Sequence, residues 1–304
     1  MTVAEAQEEF LVYIDSVRGM SKNTVHAYSR DLELFASLEP IGLQKEILDI
    51  QSEDIRMCIG ILSVQKKAAA SINRFVASVR SLFAYCRKFG YIENNPALEI
   101  KSVRLPKRLP RFMTGAEVDE LCREPEKNEL LWQSRDKAIL EVMYSSGCRV
   151  SEIASLKVGD LSSEFDSAIV TGKGSKDRRV YFEKDAVLAL RSYLSDRNKR
   201  FPQILIKNPQ NYVFVNQNGF PLSSRGIRFI ITTYSGVQGT RHHINPHALR
   251  HTFATAMIAS GADVRLVQEM LGHSSISTTQ RYTHVATDKM IEMYNKAHPH
   301  GGKN

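Results

Sequence analysis

Between Lys101 and Arg111 the chain reads Lys-Ser-Val-Arg-Leu-Pro-Lys-Arg-Leu-Pro-Arg, and no long helix can run through it. Each proline lacks an N–H and clashes with the turn before it, so Pro106 and Pro110 end any helix that reaches them. The five cations of this stretch repel one another and keep it extended. The chain therefore divides in two, and its 304 residues are enough for each part to bury a core of its own. The division expected is a domain over 1–100, a basic linker over 101–111 and a second domain over 112–304.

The first part carries helical signals. Ser21 reads as an N-cap ahead of an apolar stripe of Val25, Tyr28, Leu32 and Phe35. Ser71 reads as another, followed by Ile72, Phe75, Val76, Val79, Leu82, Phe83 and Cys86 at three- and four-residue spacing. Arg74, Ser78, Ser81, Tyr85 and Lys88 fall on the opposite side of that helix, where polar groups suit phosphates and base edges. Residues 1–100 read as all-helical.

The second part is mixed. Ser134 to Ser146 reads as a helix with Ile139, Val142 and Met143 inward, closed by Gly147. Ala168 to Thr171 and Arg179 to Phe182 read as strands joined through Gly172-Lys173-Gly174. Asn245 and Pro246 open a helix as N-cap and first residue, and Gly261 closes it. Asp263 opens the next, which Gly272 closes. The fold class expected is mainly α with one small antiparallel sheet.

Charge narrows the partners. The net charge is +8, yet residues 1–100 hold 11 basic and 13 acidic side chains. Residues 66–111 alone hold 11 basic and 2 acidic, so the positive charge is a local stripe. Such a stripe fits a polyanion, most simply nucleic acid, with Arg104, Lys107 and Arg108 of the linker joining the helix face. No apolar run approaches the roughly 18 residues of a membrane span, so no membrane partner is expected. The acidic N-terminus lacks the order of a signal peptide. The four scattered cysteines form no CxxC, which speaks for a reducing, cytoplasmic setting and against zinc or a disulfide framework.

The chemistry-bearing residues lie in the second part. His247 and Arg250 are three apart and share a helix face, while Leu249, Phe253 and Ala256 point to a core. His273 stands just past a helix end, and Tyr282 follows nine residues later. Upstream are Arg149 and Glu152 in Gly-Cys-Arg-Val-Ser-Glu and Lys173 in its glycine turn. Any one of these alone is an ordinary surface or packing residue. Together, as Arg149, Glu152, Lys173, His247-x-x-Arg250, Leu-Gly-His273 and Arg-Tyr282, they resemble the tyrosine recombinase (phage integrase) family. The intervals of 24, 3, 23 and 9 residues from 149 to 173, 247 to 250, 250 to 273 and 273 to 282 are most similar to its Xer branch, which resolves chromosome dimers.

That resemblance implies a C-shaped, two-domain clamp on duplex DNA, with a helical core-binding domain and a catalytic domain. It implies Tyr282 as nucleophile forming a 3′-phosphotyrosyl bond. Only about one free phenol in a thousand is ionised at pH 7, a deficit of roughly 4 kcal/mol, so a base or positive field must help it. His247 is the implied base, since imidazole titrates near neutrality. Arg149 and Arg250 would clamp the non-bridging oxygens with paired, permanently charged donors. His273 would add a donor, Lys173 would protonate the departing 5′-oxygen, and Glu152 would orient the clamp. The covalent intermediate conserves the bond energy, so neither cofactor, ATP nor metal is expected. Partners implied are double-stranded DNA, a homo- or heterotetramer of recombinase protomers, and, by analogy with relatives, a DNA translocase of the division machinery. The apolar stripe of Met290, Met293, Tyr294 and Ala297 would dock a C-terminal helix on a neighbouring protomer.

Cys148, smaller than the aliphatic residue common there, and Tyr181, where proline is usual, depart from the family pattern. His247 and His251 are spaced as in a zincin helix, but Ala248 stands where the glutamate base would be. A binding protein without catalysis and a type IB topoisomerase remain as other classes, and an integrase of a phage or mobile element is the main alternative within the family.

Overall fold

The computed structural model describes residues 1–104, 113–172, 174, 176–235 and 244–272. The chain forms two compact units, Met1–Arg108 and Leu109–Asn304.

The first unit is helical. α1 (Val3–Val12) starts at Thr2, whose hydroxyl accepts from the Glu5 N–H while the Glu5 carboxylate accepts from the Thr2 N–H. A π-helical turn, Tyr13–Val17, follows. α2 (Lys22–Ser37) is capped by Ser21 as expected, its hydroxyl accepting from the Thr24 N–H. α3 (Ser52–Val64) and α4 (Ala69–Lys88) complete the unit. Phe10, Leu32, Phe35, Phe75, Val79, Leu82 and Phe83 fill its core.

Two expectations for α4 are corrected. The helix begins at Ala69 with Ala68 as N-cap, and Ser71 lies inside the first turn, its N–H bonded to the Ala68 carbonyl. The side opposite the apolar stripe is also not all open. Ser78 and Tyr85 are buried, and the Ser78 hydroxyl donates to Asp31 at 2.9 Å. Asp31 is itself buried on α2 and accepts from Nε and Nη2 of Arg74. Ser78 is consumed in holding α4 against α2, so it leaves the set of surface DNA contacts.

The second unit is built around α6 (Gln133–Ser146), nearly all of whose residues from Arg135 onward are buried. α5 (Gly115–Lys127), α8 (Lys184–Arg200) and α11 (Pro246–Ala259) pack on it. α7 (Val150–Ser155) follows α6 across Gly147, which takes the left-handed conformation at φ 60°. A Cβ at Gly147 would collide with the Phe253 ring of α11, so the corner needs glycine for space as well as for φ. β1 (Ser167–Thr171) pairs antiparallel with β2 (Asp177–Tyr181), in the register Val170 opposite Arg178. α9 (Ile204–Lys207) and α10 (Ser224–Ser235) follow.

α11 is capped by Asn245, whose side chain accepts from the Ala248 N–H, and α12 (Val264–Leu271) by Asp263. Tyr181 packs with Phe253, Met257, Val267, Met270 and Leu271 in a small core that joins the hairpin to α11 and α12. The architecture is mostly helical with one two-stranded antiparallel sheet among the described residues. No helix among them is long and apolar enough to cross a membrane.

All four cysteines are free and buried. Burial pushes the thiols of Cys58 and Cys148 up to about 11 and that of Cys86 up to about 12, and raises Cys122 as well. Cys148 is therefore a packing residue at the corner beside Gly147.

Candidate active site

Arg149 is the N-cap of α7, in extended backbone, and Glu152 stands one turn on. The Glu152 carboxylate accepts from the Arg149 N–H at 2.7 Å and from Arg149 Nη1 at 2.8 Å. It also accepts both terminal nitrogens of Arg178, each at 2.8 Å. A Cβ on Gly172 would sit 3.5 Å from Glu152 Oε1, so the base of the hairpin abuts the same carboxylate. Burial alone would raise the Glu152 carboxyl, but the Arg178 fork and the Arg149 N–H outweigh it and the group lies below its ordinary value.

Arg250 corrects the expectation that it shares an open helix face with His247. It shares α11 with the exposed His247 but is itself buried. Its Nη1 donates to the Gly147 carbonyl and its Nη2 to the Leu271 carbonyl, both at 2.6 Å. Burial first, and then the neighbouring charge of Arg149, push the Arg250 guanidinium down to about 10, which leaves it charged at neutral pH.

The three arginines converge on the end of α12. Arg178 Nε donates to the Met270 carbonyl at 2.7 Å, Arg250 to Leu271, and Arg149 Nη2 to Gly272 at 3.2 Å. These are carbonyls of a helix C-terminus, which lack partners within the helix and carry its partial negative charge. Gly272, left-handed at φ 64°, ends the helix there. Three guanidiniums thus meet at one helix terminus, and two of them also hold the Glu152 carboxylate, which leaves positive charge in excess. A phosphodiester, whose single negative charge is shared by two non-bridging oxygens, would offset part of that excess and accept paired hydrogen bonds.

The structure brings Arg149, Glu152 and Arg250 together. Lys173, His273 and Tyr282 lie outside the described residues, as do the stripe from Met290 to Ala297 and the linker cations Lys107 and Arg108. The hairpin that carries Lys173 is closed by the Gly172 N–H donating to the Lys176 carbonyl at 2.8 Å. In the first unit Arg74, Lys88 and Arg104 are exposed, and Ser81 is half-buried with its hydroxyl donating to the Ala77 carbonyl. Arg178 was missed by the sequence reading. Its only signal in the sequence is its place in a run of charges just after the Lys173 turn.

Residues 111–289 match the phage integrase family, and residues 8–89 match the phage integrase N-terminal SAM-like domain. The chain is 40% identical over 304 residues to tyrosine recombinase XerC of Treponema denticola, covering 97% of this chain and 99% of that protein. It is 36% identical over 294 residues to tyrosine recombinase XerD of Staphylococcus haemolyticus, covering 96% and 98%. Among solved structures it shares its fold with a Tn1549 transposon integrase in complex with circular-intermediate DNA, at a TM-score of 0.73 and 19% identity, covering 96% of this chain and 99% of that one. A lambda integrase dimer bound to a core site aligns at 0.69 and 16% identity, covering 94% and 100%.

Proposed function

This chain belongs to the phage integrase family of tyrosine recombinases, and we propose from that premise that it exchanges strands between two DNA duplexes at a specific chromosomal site, resolving chromosome dimers. The observation that carries this reading is the excess of positive charge where Arg149, Arg178 and Arg250 converge on the end of α12, two of them held by Glu152. Preorganised donors at the non-bridging oxygens lower the barrier because charge gathers there in the transition state. Tyr282 attacks the phosphorus and the 5′-oxygen leaves. His247 takes the phenolic proton, and Lys173 supplies a proton to the departing oxygen. The enzyme keeps the phosphate as a 3′-phosphotyrosyl ester until the partner strand's 5′-hydroxyl attacks and frees the tyrosine.

The XerC and XerD relatives at 36–40% identity support the chromosomal role over a mobile-element integrase, since the integrase structures share only the fold. We assign residues 1–100 to core binding, with Arg74, Ser81, Lys88, Arg104, Lys107 and Arg108 against the duplex, and residues 112–304 to catalysis. The assembly is a tetramer of recombinase protomers, and a division translocase is its trigger.

A nicked duplex carrying the chromosomal site located by footprinting tests this. The wild-type chain should leave an adduct that survives denaturation. Tyr282→Phe should bind the duplex equally and leave none. Equal trapping by the variant would remove Tyr282 as nucleophile.

A further inference from the structure

The Arg178 side chain makes three hydrogen bonds in the site, where those of Arg149 and Arg250 make two each. Its terminal nitrogens each donate to one oxygen of Glu152 at 2.8 Å, and its Nε donates to the Met270 carbonyl at 2.7 Å. All three donors belong to one planar group. The carboxylate that holds Arg149 and the last turn of α12 are therefore fixed relative to each other. Register with Val170 sends this side chain inward from β2, where only 11% of it stays exposed, while Arg179 beside it is exposed. A Cβ on Gly272 would stand 3.2 Å from Arg178 Cδ, so the helix end is fitted closely against it.

We propose that Arg178 is a positioning residue for phosphoryl transfer, a role that rests on the recombinase reading above. Through Glu152 it sets the guanidinium of Arg149, and through Met270 it sets the end of α12, from which the chain runs on to His273 and Tyr282. Its fork is filled by Glu152 and so is not the one that meets the phosphate. Lysine cannot replace it, because a single ammonium carries the charge but not the geometry that spans a carboxylate and a carbonyl.

The test uses the full-length chain, Arg178→Lys, and the nicked duplex carrying the footprinted site. One form of the duplex has oxygen at the 5′-bridging position and the other has sulfur. The variant should melt below the wild type but remain folded, keep its duplex affinity, and form the adduct roughly 100-fold more slowly, the scale of a misplacement of about 1 Å. The deficit should persist on the sulfur substrate, because a clamp on the non-bridging oxygens does not depend on the leaving group. A rate within about twofold of wild type overturns the role. So does a deficit that vanishes with sulfur, which would assign Arg178 to the leaving group through the hairpin. If Arg178→Lys does not fold, Arg178→Gln, which keeps one donor for Glu152, is read against the same outcomes. Absence of adduct from the wild-type chain removes the recombinase reading and this role together. Adduct from the wild type at a rate the variant equals removes the role alone.

Discussion

Arg250 donates through Nη2 to the carbonyl of Leu271 at 2.6 Å. Its other terminal nitrogen reaches Gly147, so one side chain of α11 ties the corner before α7 to the last turn of α12. A residue read from the sequence as a phosphate clamp is thus also a structural bridge. Arg250→Lys can satisfy only one of the two carbonyls. Leaving the other bare should cost about 1–3 kcal/mol in thermal or urea unfolding. Adduct formation should fall by roughly 10³-fold or more, the scale of an arginine lost from a phosphoryl-transfer site. Duplex affinity should change far less than the rate, because the donors matter most where charge develops. Unaltered adduct formation would exclude Arg250 from the clamp.

Glu152 gives a pH dependence with a definite sign. Its folded carboxyl lies below the ordinary value of 4.5, held there by Arg178 and Arg149 against the opposing effect of burial. A depressed acid contributes stability that is complete above the unfolded value and lost as pH falls through the folded one. Melting temperature should therefore drop on acidification below about 4.5 more steeply for the wild type than for Glu152→Gln. Parallel curves for the two proteins would show that the carboxylate contributes nothing through its charge.

Gly147→Ala meets two penalties at one position. The left-handed backbone costs an L-residue about 1–2 kcal/mol. The new methyl also drives into the Phe253 ring, and overpacking of that kind costs about 1–3 kcal/mol. Denaturant unfolding of Gly147→Ala should show a loss of roughly 2–5 kcal/mol from the two terms together. Gly90→Ala, also left-handed at φ 79° but with open space around the added carbon, is the control and should carry the backbone penalty alone.

Ser78 and Arg74 share Asp31 but differ in what faces outward. Ser78→Ala should lower stability by about 1 kcal/mol and leave duplex affinity unchanged. Arg74→Gln should weaken duplex binding and reduce the salt slope by about one, as expected for one lost phosphate contact. Binding titrations over a range of salt separate the two. A salt slope untouched by Arg74→Gln would make its exposed guanidinium only a partner of Asp31.

Local chemistry made much of the fold legible. Ser21, Asn245 and Asp263 cap helices where their short polar side chains predict, and Gly147 and Gly272 end helices where a left-handed residue is needed. Ser71 misled because a serine in a first turn looks like a cap, while the alanines before it are better helix formers and carry the helix further back. The burial of Ser78 depends on Asp31, a residue 47 positions earlier, and periodicity within one helix does not contain that contact. Arg250 reads as a surface residue until the α12 carbonyls are brought to it from 21 positions away. Arg178 and Arg179 are neighbours of like charge, and only the pairing of β2 with β1 decides which of them turns inward.

The burial of every native thiol has a practical side. With Cys58, Cys86, Cys122 and Cys148 enclosed and three of them raised to about 11 or 12, alkylating dyes find almost no thiolate in the folded chain at neutral pH. One cysteine introduced at exposed Leu98, and another at exposed Ile206, would therefore take up a fluorophore pair without prior removal of the native four. Energy transfer between those dyes would then follow the two units of a single protomer as DNA is added, in a protein whose own sulfur stays silent.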